Sequence, residues 1–236
     1  MKLSIIICTH NSGERLRKTL DSILSQDADD FEVVIIDGAS TDGTINIIKE
    51  YELKFNGKLR WISEPDSGVY NAMNKGVKMA RGEYLNIVGA GDWLEKSALK
   101  AAYKCIEENP ETDAVQGVLR IWSKDLMNFN LVQTSPKKLA TVPMQHPSLY
   151  YKKELHNKYG LYDESYKIVA DYLFCMKAFY VGRARVTPFD AVVDNYLLDG
   201  MSSNNDELCE EENIRARKSL GLNRFRFLRN IIMFFK

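Results

Sequence analysis

Neither sign of charge is in excess in this 236-residue chain, where 32 Lys plus Arg stand against 32 Asp plus Glu. No global field therefore draws it toward nucleic acid, and specific binding has to come from a local site. The four cysteines, Cys8, Cys105, Cys175 and Cys209, form no CxxC and no paired metal-ligand spacing, and no positively charged, small-residue leader opens the chain. Reduced thiols in a cytoplasmic protein are the expectation. The apolar run in "MKLSIIICT" breaks at Thr9, far short of the roughly 18 to 20 residues that a membrane span needs. GxGxxG and GxxxxGK[ST] are both missing, so a dinucleotide fingerprint and a P-loop lack support. Repeats and low-complexity segments are missing too, and His10, His146 and His156 are too scattered for a His-based metal cluster.

What is present is a substantial core, since 45% of the residues are hydrophobic and the length suits one large domain. Short β-branched runs alternate with helical periodicity over the first hundred residues, which predicts a parallel sheet with helices packed on its faces. Residues 3–8 (LSIIIC) and 32–36 (EVVII) lack polar alternation, as strands covered on both sides do. Between them Leu16, Leu20, Ile23 and Leu24 recur at helical spacing after Asn11-Ser12, completing a βαβ unit. Ile45, Ile48 and Tyr51 predict a second helix, "LRWIS" a third strand, Tyr70, Met73, Val77 and Ala80 a further helix, and "GEYLNIV" another strand. Beyond residue 113 the pattern loosens to strand candidates "AVQGVLRIW", "PSLYY" and "VVDNYLL", a loop-like stretch with Pro136 and Pro143, and a helix around 170–180.

In open α/β sheets ligands bind beyond the carboxyl ends of strands, where strand order reverses. Thr9, Asp37 and Asp92 each sit just past such an end and can line one crevice. "CTHNSGERL" puts free backbone N–H groups and small polar side chains at a strand-to-helix step, which suits a nucleotide or a plain helix cap. In "IIDGASTDGT", Asp37 can accept hydrogen bonds from a base or sugar, while Asp42 equally suits a cap of the next helix. Asn71, Asn74 and Lys75 share a helix face after "SEPDSG", which reads as a binding surface or a solvated face. Asp171 in "VADYLF" can be a functional carboxylate or a first-turn acid favoured by the helix dipole. Trp93 can wall a pocket or pack.

Taken together, "SIIICTHNSGERLRKTLDSILSQ", "FEVVIIDGASTDGT", "ISEPDSGVYNAMNKGVKMARGEYLNIVGAGDWL", "IVADYLFCMK" and "LLDGMSS" closely resemble the family 2 glycosyltransferases with the GT-A fold. Among these, the bacterial enzymes that build lipopolysaccharide, capsule and exopolysaccharide repeat units are the most similar. The blocks run nearly continuously through the first hundred residues and then as scattered motifs to about residue 203. The resemblance implies a Rossmann-like, mostly parallel sheet with helices on both faces. It also implies inverting transfer of a sugar from a UDP- or GDP-sugar to an acceptor hydroxyl, with a divalent cation, Mn²⁺ or Mg²⁺. By that pattern Thr9, Asn11, Arg15 and Asp37 match nucleotide-contacting positions, and Asp66, Asn74 and Lys75 the block lining the donor pocket. "GAGD" stands where the family carries two or three acids, which makes Asp92 the metal anchor and lets Gly91 approach the diphosphate. Asp171 matches the catalytic base, and "MQHPSLYY" resembles the stretch beside the acceptor pocket, which places His146 on the acceptor side. His156, in a charged helical context, is expected to be structural.

These residue types suit the chemistry. A nucleoside diphosphate leaving group concentrates negative charge that a hard cation on a carboxylate offsets, and an attacking hydroxyl needs one positioned carboxylate to take its proton. The expected organisation is one domain over residues 1–220, with a nucleotide-sugar half at 1–112 and an acceptor half at 113–205, followed by a basic amphipathic tail at 214–236. That tail, "IRARKSLGLNRFRFLRNIIMFFK", has seven Lys and Arg and no acid. It suits either an anionic membrane surface, with a polyprenyl-diphosphate-linked saccharide as acceptor, or docking on its own domain. A nucleotidyltransferase acting on sugar phosphates and a catalytically silent nucleotide-sugar-binding module are the rival functions.

Overall fold

The computed structural model describes residues 2–140, 142–198 and 205–222. Most of the "LLDGMSS" block, from residue 199, and the basic tail from residue 223 lie outside them. The first half runs β1 (Leu3–Thr9), α1 (Gly13–Leu24), β2 (Phe31–Asp37), α2 (Thr44–Lys54), β3 (Leu59–Ser63), α3 (Val69–Met79), β4 (Tyr84–Gly89), β5 (Trp93–Leu94) and α4 (Ala98–Glu108). The second half holds β6 (Ala114–Trp122), β7 (Phe129–Val132), β8 (Leu149–Lys152), α5 (Glu154–Tyr159), α6 (Ala170–Cys175), β9 (Val186–Leu197) and α7 (Asp206–Ser219). A π-helical turn, Met176–Val181, extends α6. The stretch expected to be loop around Pro136 and Pro143 follows β7 and includes a 3₁₀ turn, Pro136–Lys138.

The sheet order is β3-β2-β1-β4-β8-β6-β9-β5, with β7 pairing with the later residues of β6, Leu119–Trp122. Strands β3, β2, β1 and β4 are all parallel, and antiparallel pairs enter only with the strands after β4. The expected α/β architecture, a mostly parallel sheet with helices on both faces, is thus what the chain forms. Alternate residues of β1 explain the layering: Leu3, Ile5 and Ile7 pack with α1, α2 and α4, whereas Ile6 joins the cluster of α3, α5 and α6. Burial of both faces removes any need for polar alternation, which is why these strands read as unbroken apolar runs. Leu24, though at helical spacing, is 40% exposed at the end of α1.

Strand order reverses at β1, because β2 and β3 succeed it on one side and β4 on the other. The register sets Thr9 opposite Asp37, Asp37 opposite Ser63, and Cys8 opposite Gly89. Four carboxyl ends therefore stand in a row, roughly 4.8 Å apart. Among the described residues no helix is long and apolar enough to cross a membrane.

Candidate active site

The row of strand ends builds the first wall. Asp37 is fully buried and its carboxylate accepts hydrogen bonds from Ser40 N (2.9 Å), Ser40 Oγ (2.5 Å) and Ser63 Oγ (2.7 Å). Three donors fix that carboxylate at the carboxyl end of β2. Asn11, in the left-handed region at φ 48°, accepts from Thr41 N at 2.9 Å, and its own N–H donates to Ser40 Oγ at 2.8 Å. The β1–α1 and β2–α2 loops are thereby tied together. Thr9 is buried and its Oγ1 has no partner among the described residues, the kind of orphaned hydroxyl that a ligand satisfies. Asp66 lies against this wall: a Cβ on Gly38 would stand 3.2 Å from its Oδ2. Lys75 reaches Asp66 at 2.6 Å and Glu64 at 2.8 Å, and both contacts raise its pKa. Asp42 takes the capping alternative, accepting from Thr44 N and Oγ1 at the start of α2.

The second wall is the Gly89–Asp92 turn, which α1 grips from behind. Thr19 Oγ1 donates to Asp92 O at 2.7 Å and accepts from Gly91 N at 2.8 Å. The glycines have a steric reason. A Cβ on Gly89 would come within 2.5 Å of Asp92 Oδ2, and one on Gly91, which sits at φ 115°, within 3.0 Å of Arg15 Nε. Small residues here leave room first for the chain's own carboxylate and guanidinium. Lys18, one turn along α1 from Arg15, lies 3.0 Å from the Trp93 ring centroid; burial lowers its pKa and the Asp92 carboxylate opposes that shift. Trp93 also stacks on Trp122 at 6.2 Å, so it packs.

These residues fit a divalent cation that brings most of its ligands with it. Among the described residues no three His, Cys, Asp or Glu side chains gather as a metal cage. Asp92 nonetheless acts on a second carboxyl, Asp194 of β9, which is fully buried with its Oδ2 lacking a partner. Burial and Asp92 push the Asp194 carboxyl well above the usual carboxylate range. A carboxylate with an orphaned carboxyl beside it, Arg15 against the same turn and Lys18 within reach of its charge suits a charged diphosphate with its cation, not a bare ion.

The third wall carries Asp171, in the first turn of α6. Its Oδ1 lies 2.8 Å from the hydroxyl of Tyr70, which also contacts Ile168 O. Burial and the Asp171 charge raise the Tyr70 pKa well above its usual value, so the phenol stays protonated. His146 is buried with its Nε2 2.9 Å from Tyr162 OH; burial lowers its pKa and Asp171 opposes the shift. Asn74 is committed elsewhere. Its amide bonds Tyr162 O, Tyr162 N and Glu164 Oε1 at 2.8–2.9 Å, clamping α3 to the loop before α6. Asn71 completes that clamp on Glu164 Oε2 at 2.9 Å.

His156, as expected, is structural: it is buried, stacked on Phe174 at 4.3 Å, and burial lowers its pKa to about 4. The sign of the pH effect follows. Below its ordinary value of 6.5 the unfolded chain binds a proton that folded His156 refuses, so stability falls as pH drops toward 4. At pH 5 this residue alone should remove about 2 kcal/mol, with His146 acting in the same direction. Denaturant unfolding at pH 7 and pH 5 measures it, and a His156→Phe variant is the control expected to lose the His156 share of the difference and keep that of His146.

Several of these groups carry no signal in the sequence. Ser63, Thr19, Tyr70 and Asp194 come from elements read only for their apolar spacing, and Glu212 lies in the acidic run "DELCEEEN", where nothing singles out one acid. Its carboxylate is buried and accepts from the N–H groups of Lys167, Ile168 and Val169 at 2.8–3.3 Å, directly before Asp171.

Comparison with known proteins bears on the family and the fold. Residues 4–178 match Glycosyl transferase family 2. A PGL/p-HBAD biosynthesis glycosyltransferase of Mycobacterium bovis is 34% identical over 180 residues, covering 75% of this chain and 69% of that protein. The crystal structure of Staphylococcus aureus TarS 1-349 in complex with UDP-GlcNAc superposes with a TM-score of 0.76 at 24% identity, over 94% of this chain and 66% of that one. The mannosyltransferase PcManGT of Pyrobaculum calidifontis, in complex with GDP-Man and Mn²⁺, superposes with a TM-score of 0.72 at 19% identity, over 96% and 66%. With its sheet, its row of strand ends and its sequence all of one kind, the chain belongs to glycosyl transferase family 2.

Proposed function

We propose that the chain transfers a sugar, with inversion, from a nucleoside-diphosphate sugar to an acceptor hydroxyl in the synthesis of a cell-surface saccharide. The observation that carries this reading is the row of parallel strand ends that gathers Thr9, Asp37 and the Gly89–Asp92 turn with Arg15 against it, while Asp171 is held by Tyr70 of α3. In a single displacement the acceptor oxygen bonds to the anomeric carbon as the carbon–oxygen bond to the diphosphate breaks. The hydroxyl proton passes to Asp171, and the departing electron pair stays on the diphosphate, where Arg15 and Lys18 stand. Asp92 would hold a divalent cation, which when bound supplies further positive charge to the leaving group.

The relatives support a nucleotide-sugar donor, since the solved structures bind UDP-GlcNAc and GDP-Man. A lipid-linked acceptor and a place on the cytoplasmic membrane face rest on the basic tail. A panel of UDP- and GDP-sugars tests the reading, with and without Mn²⁺ and with acceptor lipid in anionic vesicles. The expected result is release of UDP or GDP with sugar transfer, a Mn²⁺ gain lost in Asp92→Ala, and slower transfer on vesicles without residues 223–236. Pyrophosphate release from a sugar phosphate would mark a nucleotidyltransferase instead.

A further inference from the structure

Behind Asp171 runs a chain of buried polar groups whose hydrogens can be assigned one by one. His156 Nδ1 lies 3.1 Å from Gly160 O, and a carbonyl only accepts, so Nδ1 carries the hydrogen. The ring is buried between Phe174 and Tyr162, and the Lys153 charge that acts on it is positive. It is therefore neutral, and its Nε2 is a bare lone pair. Tyr151 OH, 3.1 Å away, must donate to that lone pair. The Tyr151 oxygen then accepts from Tyr162 OH at 2.6 Å, and the Tyr162 oxygen accepts from His146 Nε2 at 2.9 Å. Reversing the direction would require a second proton on His156, which burial forbids. Both phenols are protonated, since burial raises their pKa values.

The consequence falls on His146. With its hydrogen on Nε2, its Nδ1 is left as a lone pair with no partner among the described residues, in a ring close enough to feel the Asp171 charge. Resting on the transferase reading, we propose that Tyr162, Tyr151 and His156 are positioning residues that lock His146 as the Nε2–H tautomer, and that its Nδ1 accepts a hydroxyl hydrogen of the saccharide acceptor beside Asp171. Tyr162, which holds His146, packs against the Tyr70 that holds Asp171, at 5.9 Å between ring centroids, and two neighbouring acceptors call for a substrate rich in hydroxyl hydrogens, the property a sugar or polyol acceptor has.

The tautomer is read without substrate or turnover, so its failure is separate from failure of the transferase reading. In a long-range ¹H–¹⁵N spectrum of the histidine-labelled full chain at neutral pH, His146 is expected with a protonated Nε2 and a bare Nδ1, and His156 with the reverse. A proton on His146 Nδ1 overturns the proposal. The functional half uses two amides, because Asn at 146 places its polar atoms near the position of Nδ1 and Gln near that of Nε2. His146→Asn should keep about fivefold more kcat/KM for the acceptor than His146→Gln, the weight of one hydrogen bond, with donor affinity alike in both. Gln equal to or better than Asn overturns it, since a merely structural link to Tyr162 favours Gln.

Discussion

Asp171→Asn should lower kcat by about 10³-fold, the usual weight of a positioned general base, while leaving nucleotide affinity within about twofold of the native chain. The substitution changes the chemistry and little else. An amide oxygen can still accept from the Tyr70 hydroxyl that now lies 2.8 Å from Oδ1, but it cannot take the acceptor's proton. Removing the charge relieves its neighbours, because the Asp171 carboxylate is among the groups that raise the pKa values of Tyr70, Tyr162 and Cys175. Folding is therefore preserved. In the proposed reading the donor contacts come from the other wall, where Asp37 at the end of β2 and Asn11 after β1 are tied through Ser40 and Thr41, and Arg15 lies in the first turn of α1. Calorimetric binding of UDP or GDP, beside single-turnover transfer, separates the two effects. More than a tenth of native turnover in the Asn variant would remove Asp171 from the role of base.

Legibility in the sequence followed burial. The β1 and β2 runs, the α1 spacing and the acids at strand ends could be read because the doubly covered β1 and β2 are apolar through their middles, with polar residues toward their ends. The same logic placed Tyr70 correctly on an apolar helix face, yet periodicity reports where a ring goes and not what its hydroxyl touches. "VVDNYLL" was readable as a strand, but β9 pairs in parallel with β6 and antiparallel with β5, and only that register brings Asp194 within reach of Asp92. His146 and His156 look alike as isolated histidines; two tyrosines that lie between them in space connect them. Long-range pairing of polar tips has no period, so no local pattern announces it.

Glu212→Ala should cost about 3 kcal/mol of stability, since three backbone donors lose one charged acceptor, and should lower kcat roughly tenfold with donor affinity unchanged. Glu212 belongs to α7, beyond the family match that ends at residue 178, yet its carboxylate takes the N–H groups of Lys167, Ile168 and Val169. Those are the last residues before α6, so the acid caps the short helix that presents Asp171. Arg215, one turn further, strengthens the hold by donating to Ser165 O at 2.8 Å and covering the Tyr166 ring at 3.7 Å. The same segment is held from the opposite side by Tyr70 on Ile168 O and by Asn71 and Asn74 on Glu164. Loss of one clamp therefore loosens Asp171 without unfolding the sheet that binds the donor. In a chain of this size the stability loss corresponds to roughly 6–12 °C in Tm, and Glu212→Gln, which keeps one acceptor oxygen, should fall between Ala and native in both readouts. An alanine variant that melts like the native chain would sink the capping role. One that loses donor affinity in step with kcat would make the effect global, whereas a fall in kcat alone places α7 in the positioning of the catalytic carboxylate.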